Sequence, residues 1–195
     1  MEQWINLAGA LITASATLFS VWLGHRFYKR RRRDPVVDEN SQASNVYAAL
    51  EFTMDEMRAD RAYVLEFHNG GHYYSGRGQQ KFSCTHETTR KGITHECTNS
   101  QEHRVSNFHS YITELIEKKK FAYLEMDSVP DHAFAGLLEN AGVLSIFNVP
   151  IKTLNGKIIG ILGVDYVRNA PSDGFSDEQF DTMRVQARVI AGYLV

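Results

Sequence analysis

Two apolar stretches that flank an Asn-Gly pair, between Val143 and Tyr166, constrain the fold of this chain more than any other feature. Residues 143–151 are mostly apolar and β-branched, which predicts a buried strand, and residues 157–166 predict a second one. Asn155-Gly156 between them is a strong hairpin signal, because both residue types accept a positive φ. Pro150 predicts an edge or bulged position within the first strand. Two strands this apolar need cover from the rest of the chain.

The N-terminal segment predicts a membrane anchor. Residues 4–23 contain no ionisable side chain, and a helix of this length spans about 30 Å, the thickness of a bilayer core. Five consecutive bases follow at residues 29–33, and such a run places its end of a span in the cytoplasm. A cleaved signal peptide would instead carry its positive charge before the apolar run. We therefore expect a single-pass protein of the inner (cytoplasmic) membrane, with its N-terminus outside and the rest in the cytoplasm.

The division of the chain follows from this anchor. Residues 1–24 are the predicted transmembrane anchor, 25–43 a basic stop-transfer segment and linker, and 44–195 a globular domain. The net charge is −2, but the residues after the basic run hold 15 bases and 22 acids. An acidic body argues against nucleic-acid binding. With only two cysteines, Cys84 and Cys97, the chain is not a disulfide scaffold.

Periodicity predicts the remaining elements of the domain. Alternation and apolar stripes at spacings of three and four residues separate strands from helices. Ser176 and Gln179 have the spacing of a capping box that begins the last helix. The predicted order is helix 45–59, strands 61–68 and 80–88, helix 106–120, strand 121–126, helix 131–140, the hairpin, and helix 176–194.

The last third of the domain carries three sequence motifs. They are Asn148-Val149-Pro150-Ile151, residues 155–164 with their Asn-Gly turn and Gly-hydrophobic pattern, and Phe175-Ser176-Asp177-Glu178. Together these motifs resemble the C-terminal part of the GAF family. The resemblance covers residues 44–195. It implies an α+β sandwich of the GAF/PAS-like sensory type, with a central antiparallel sheet of about 5–6 strands. It also implies terminal helices on one face, which often dimerise, and a ligand pocket on the other.

The resemblance does not identify a ligand, since a fold hosts many functions. The family binds cyclic nucleotides, haem, bilins and amino-acid-like molecules. One subgroup reduces free methionine sulfoxide with a cysteine before the Val-Pro strand, but residues 131–136 contain no cysteine. We therefore expect no enzyme activity. The context of a bilin-attaching cysteine is not evident either, and the cyclic-nucleotide motif is not present as a block.

Cys84-Thr85-His86 and His95-Glu96-Cys97 form a palindrome in the middle of the domain. If they were the two arms of a hairpin, Cys84 would face Cys97 and His86 would face His95, with all four side chains on one face. That arrangement would suit zinc. Two reduced, packed cysteines with solvated histidines are the alternative, and a cross-strand disulfide is a third.

Polar and aromatic residues near the end of the first predicted strand suggest a ligand site, because that region borders the pocket in the resembling fold. A tyrosine-rich surface loop is the alternative, and the acidic residue that ends the second hairpin strand could equally be a solubilising group. The candidate ligand-binding residues are Glu66, His68, Asn69, Tyr73, Tyr74, Arg77 and Asp165.

Three functions follow from these observations. The first is a membrane-anchored, cytoplasm-facing sensory or small-molecule-binding module that signals through its terminal helices, as a homodimer or through a separate signalling partner. The second is a membrane-tethered structural or interaction protein, bacterial or phage-encoded, without a ligand. The third is a metal-binding variant that uses the Cys/His cluster.

Overall fold

The computed structural model describes residues 2–32 and 34–195, with the side chains of residues 4, 9, 12–27 and 34–195. The chain divides into two compact units, and the second covers Gln42–Val195. The helices are α1 (Glu2–Arg32), α2 (Pro35–Glu56), α3 (His109–Lys118), α4 (His132–Asn140) and α5 (Asp177–Leu194). The strands are β1 (Arg61–His72), β2 (Gly78–Thr89), β3 (His103–Arg104), β4 (Phe121–Tyr123), β5 (Ser145–Lys152) and β6 (Ile158–Tyr166).

The segment predicted as a membrane anchor lies within the helix α1. Among the side chains that the structure describes, none of the helices combines the length and the apolar character that crossing a membrane requires. Residues 5–8, 10 and 11 of the predicted span lie outside those described side chains. The structure thus lends the predicted anchor no support.

The segment predicted as a linker differs from the expectation. Residues 36–44 are helical and belong to α2, which begins at Pro35. Proline suits the first position of a helix because its missing N–H needs no partner there. The Asp34 side chain accepts a hydrogen bond from the Val36 N–H at 3.0 Å, as a capping residue does.

The second unit contains one antiparallel sheet of six strands in the order β3-β2-β1-β6-β5-β4. α2 and α5 pack on one face, with Leu50, Val164 and Ile190 in their shared core. α3 and α4 pack on the other face, with Tyr111, Phe134 and Ile161 in a second core. The predicted α+β fold with a central antiparallel sheet and the terminal helices on one face is therefore confirmed.

The hairpin predicted between 143 and 166 is present as β5 and β6. Its turn has a positive φ at Gly156 but not at Asn155, so only one of the two residues uses the left-handed region. Pro150 lies beyond the end of β4, which pairs only with Ile146, Phe147 and Asn148. A proline is tolerated there because no neighbouring strand needs its backbone donor on that side.

Candidate functional site

A cavity of about 60 Å³ lies between the sheet, α4 and the segment 96–103. It is on the α3–α4 side of the sheet, away from the terminal helices. The lining residues come from β1, β2, β6, the segment before β3 with the first residue of β3, and α4 with the turn after it. They are Arg61, Tyr63, Leu65, Phe82, Cys84, Glu87, Glu96, Cys97, Ser100, His103, Phe134, Leu137, Leu138, Ala141, Val143 and Asp165.

An ion pair closes one end of the cavity. Arg61 and Asp165 are opposite each other in the β1–β6 register, and they are only 1% and 4% exposed. Arg61 Nε donates to the two Asp165 carboxylate oxygens at 2.8 and 3.1 Å. Its terminal nitrogens donate to the carbonyl oxygens of Thr94 and Ala141. The guanidinium therefore fixes the segment before β3 and the end of α4 against the sheet.

Burial decides the protonation chemistry of this pair. Loss of hydration raises the pKa of Asp165 to about 6, and this outweighs the opposing effect of the Arg61 charge. Burial acts to lower the pKa of Arg61, but the charge of Asp165 and its hydrogen bonds raise that pKa overall, so the guanidinium stays charged. Asp165 is therefore a carboxylate at neutral pH that can take up a proton under mildly acidic conditions.

Glu87 holds the outer wall of the cavity in place. Its buried carboxylate accepts hydrogen bonds from the backbone N–H groups of Glu96 and Cys97, at 2.9 and 3.0 Å, and contacts His95 Nδ1 at 3.2 Å. Glu96 Oε1 lies 3.9 Å from an Arg61 nitrogen. Three carboxylates thus accompany one guanidinium around the cavity, which favours a ligand with hydrogen-bond donors or positive charge.

His103 lines the other side of the cavity. Its ring contacts Phe82 and Phe108, with centroid distances of 5.3 and 5.5 Å, and burial lowers its pKa below the usual range. Nε2 is the one buried side-chain nitrogen or oxygen without a hydrogen-bond partner among the described residues. Because an unpaired buried polar atom is costly, Nε2 marks a place where a ligand or water would find a partner.

A chain of buried hydrogen bonds connects the cavity wall to α3. The Tyr63 hydroxyl donates to Asn148 Oδ1 at 2.9 Å, and Asn148 Nδ2 donates to the Tyr111 hydroxyl at 2.8 Å. Burial raises the pKa of both phenols, so they stay protonated. This chain fixes the orientation of the Tyr63 ring at the cavity.

Of the seven residues predicted to bind a ligand, only Asp165 lines the cavity. His68 bonds to Ser83 at 2.9 Å, and Asn69 Oδ1 accepts from the Gly71 N–H. Arg77 stacks on the Tyr73 ring at 4.7 Å, while Tyr74 is fully exposed. Glu66 is half-buried and pairs in register with Ser83 and Gly160. These six residues follow β1 towards its far hairpin end, whereas the cavity lies near the start of the strand.

The hairpin that the predicted metal cluster of Cys84, His86, His95 and Cys97 requires does not form. β2 pairs with β1, with Val64 opposite His86 and Leu65 opposite Cys84, so Thr85 is the extra residue of a bulge. A bulge reverses the alternation of side chains. Cys84 accordingly joins the cavity-side core, whereas the His86 ring contacts Tyr47 of α2 at 5.3 Å. No group of three or more His, Cys, Asp or Glu in the described part of the chain could hold a metal ion.

Cys84 and Cys97 nevertheless come together at the cavity. The Cys97 thiol donates to the Cys84 carbonyl oxygen at 3.2 Å, and both cysteines are free. Burial raises the pKa of both thiols. Protonated thiols are poor nucleophiles and poor metal ligands.

Sequence reasoning missed Arg61, Glu87 and His103. One signal was available for Arg61: it is a charged residue at the start of an otherwise largely apolar predicted strand. His103 gave no signal, because its strand β3 has only two residues and depends on tertiary pairing with Phe82.

The fold has solved counterparts that share little sequence with this chain. The blue-light absorbing form of the PixJ GAF domain from Thermosynechococcus elongatus has a TM-score of 0.63 at 12% identity, over 83% of this chain and 89% of that one. The GAF domain region of a putative membrane protein from Geobacter sulfurreducens has a TM-score of 0.57 at 12% identity, over 82% and 96%. A far-red absorbing dark state with bound biliverdin IXa has a TM-score of 0.56 at 11% identity, over 74% and 84%.

Sequence comparison gives the family directly. No curated protein sequence matches the chain, but the family model for the GAF domain matches residues 45–194. The matched region includes the whole sheet and every residue that lines the cavity. The chain therefore belongs to the GAF domain family.

Proposed function

We propose that this protein is a sensory module that binds a small polar molecule in the cavity between the sheet and α4. The proposal rests on the buried Nε2 of His103, which has no hydrogen-bond partner among the described residues. His103 lines the same cavity as the Arg61–Asp165 pair. Structural neighbours of this fold include a protein with bound biliverdin. A volume of about 60 Å³ corresponds to a few water-sized groups, so we propose a much smaller ligand than a tetrapyrrole.

The ligand chemistry follows from the groups around the cavity. Glu96 and Asp165 offer carboxylate oxygens, while Phe82 and Phe134 supply an apolar wall. A small molecule with one or more N–H donors could donate hydrogen bonds to the carboxylates, and a short apolar part could pack against the phenylalanine rings. His103 would complete the site, as donor or acceptor according to its tautomer.

Two of the strands that line the cavity, β1 and β6, provide a route for a signal. On β1, Arg61 and Tyr63 face the cavity, whereas Ala62 and Val64 pack in the core of the terminal helices. A ligand that shifts β1 or β6 would therefore change packing under α2 and α5 on the opposite face. We propose that the signal leaves through these helices, to a second copy of the chain or to a separate signalling partner.

A thermal-shift screen of the full chain with small amines, amides and amino acids tests the proposal. A true ligand should raise the melting temperature by about 5 °C near saturation. Ser100→Leu, which fills the cavity, should abolish the shift. Ser110→Leu on exposed α3 should keep it. If no compound stabilises the protein, or if Ser100→Leu responds like wild type, the sensing proposal fails and an inert interaction domain is the better account.

We further propose that the site is not catalytic. Both thiols have raised pKa values, so neither cysteine is a thiolate nucleophile at neutral pH. Alkylation with iodoacetamide measures this directly. Cys84 and Cys97 should react much more slowly than a free cysteine, and rapid labelling of either thiol would contradict the proposal.

Membrane attachment through residues 4–23 remains a prediction from the sequence. Fractionation of cells that express the full chain, with a reporter fused after Val195, would measure it. Recovery in the soluble fraction would contradict the anchor, and a periplasmic reporter signal would contradict the predicted orientation.

A further inference from the structure

A second depression, of about 210 Å³, lies on the α5 side of the sheet. Val149, Pro150 and Ala187 contribute its apolar part. Its remaining lining residues are all basic: Lys119, Lys152, Arg184 and Arg188. We call this depression the basic pocket, and it shares no residue with the cavity beside His103.

The fold keeps the basic pocket open. β4 pairs with β5 only as far as Asn148, so no strand covers the outer side of β5 beyond that residue. Lys119 ends α3 in the left-handed conformation, with φ 59°, and the chain then enters β4 directly beside Asn148. This turn places the lysine at the uncovered part of β5.

The charges of the basic pocket are poorly compensated. Among the described residues, Lys119, Lys152 and Arg188 have no carboxylate partner within 4.0 Å. Arg184 pairs with Asp181 at 3.1 Å, but that carboxylate is itself 71% exposed. No acidic residue lines the pocket.

Such a concentration of positive charge contrasts with the acidic composition of the residues after the basic run, which hold 15 bases and 22 acids. Like charges around one depression repel one another, and a concave apolar floor strengthens their field. Arginine and lysine together match the oxygens of phosphate, because guanidinium groups bind two oxygens at once and ammonium groups act as point charges.

We propose that the basic pocket binds a phosphate-bearing anion. This inference is independent of the ligand in the first cavity, because the two sites lie on opposite faces of the sheet. The phosphate could belong to a free phosphorylated molecule or to a lipid headgroup, and the chemistry of recognition is the same for both.

Isothermal titration calorimetry of the full chain with inorganic pyrophosphate tests the proposal. Wild type should bind, and the double variant Lys152→Gln/Arg188→Gln should bind at least about tenfold more weakly, since it loses two charge-assisted contacts. The matched variant Lys91→Gln/Arg58→Gln removes the same two charge types at exposed positions outside the pocket and should bind like wild type. Citrate, an anion without phosphate, should bind more weakly than pyrophosphate.

Three results would overturn the proposal: no binding of pyrophosphate to wild type, equal binding by the pocket variant, or citrate binding as tight as that of pyrophosphate. A melting curve of each variant identifies loss of folding, and the single variant Arg188→Gln then serves as the milder test. Sedimentation with phosphatidylcholine vesicles, with and without roughly 30% phosphatidylserine, identifies the source of the phosphate. If wild type binds the anionic vesicles more than the neutral ones and the pocket variant loses this difference, the phosphate belongs to a lipid headgroup. If wild type and the pocket variant bind the anionic vesicles equally, the phosphate belongs to a free anion.

Discussion

Gly163 controls how closely three strands approach at the centre of the sheet. It pairs with Tyr63 of β1 on one side and with Asn148 of β5 on the other. A methyl group at this position would overlap the Tyr63 ring and the Asn148 side-chain oxygen. The absence of a side chain therefore permits the buried hydrogen bond between these two residues.

Gly163→Ala should lower the free energy of unfolding by about 1–3 kcal/mol, because the methyl group forces the Tyr63–Asn148 pair apart. Urea denaturation measures this change. Gly136→Ala is the control, since a methyl group there meets nothing within 4 Å and alanine favours the helix α4. A Gly163→Ala variant as stable as wild type would show that the strands can separate without cost.

Asp165 should give the protein a distinct pH dependence. Its pKa is raised from 3.8 to about 6, so the folded state holds this proton more tightly than the unfolded chain does. The contribution of Asp165 to stability is therefore complete below about pH 4 and declines as the pH rises through about 6.

Comparison of wild type with Asp165→Asn isolates this effect, because the variant cannot titrate at this position. The difference in unfolding free energy, wild type minus variant, should fall by up to about 3 kcal/mol between pH 4 and pH 7. Urea denaturation at several pH values measures it. A difference that rises with pH would mean that the charge of Arg61 outweighs burial and lowers the pKa of Asp165.

The start of α5 is determined by residues close together in the sequence. The Ser176 hydroxyl accepts a hydrogen bond from the Gln179 N–H, and the Gln179 side chain accepts one from the Ser176 N–H. The predicted capping box is therefore present. The helix then buries Met183, Ala187 and Ile190 against the sheet.

Ser176→Ala should lower the free energy of unfolding by about 1 kcal/mol, because the Gln179 N–H at the start of α5 loses the hydroxyl that accepts its hydrogen bond. Differential scanning calorimetry should show a decrease of about 2–4 °C in melting temperature. Ser172→Ala, in the exposed loop before α5, is the control and should change little. An equal loss in both variants would mean that the loop, and not the cap, sets the stability of this region.

At the scale of the whole molecule, both hydrophobic cores lie within the second unit. Every buried member of the two cores falls between Val46 and Ala191, inside the unit Gln42–Val195. A fragment of residues 42–195 should therefore fold alone and melt cooperatively, within about 3 °C of the domain transition in the full chain. Near-ultraviolet circular dichroism during heating measures this. A broad transition without tertiary signal would show that earlier residues are needed for folding.

The predictability of each part of the domain depended on the range of the interactions that form it. The hairpin, the capping box and the apolar stripes arise from contacts between near neighbours in sequence, and their patterns indicated the right elements. The bulge at Thr85 and the strand β3 depend on pairing with distant residues. The palindrome around Cys84 and Cys97 therefore suggested a hairpin that the chain does not form. The predicted ligand residues and the cavity lie apart for a related reason, because the most distinctive polar loop is at the far end of β1 from the cavity.

The sequence by itself determined the family and the layered architecture. A run such as residues 143–166 leaves few alternatives to a buried hairpin, whose apolar faces require helices on both sides of the sheet. Only the tertiary structure decided which polar residues meet. Arg61 and Asp165 are 104 positions apart, and strand register brings them opposite each other. His103 and Phe82 likewise come into contact through pairing between strands. A one-residue bulge reverses which face a side chain occupies, so the composition of the cavity could not be read from spacing along the chain.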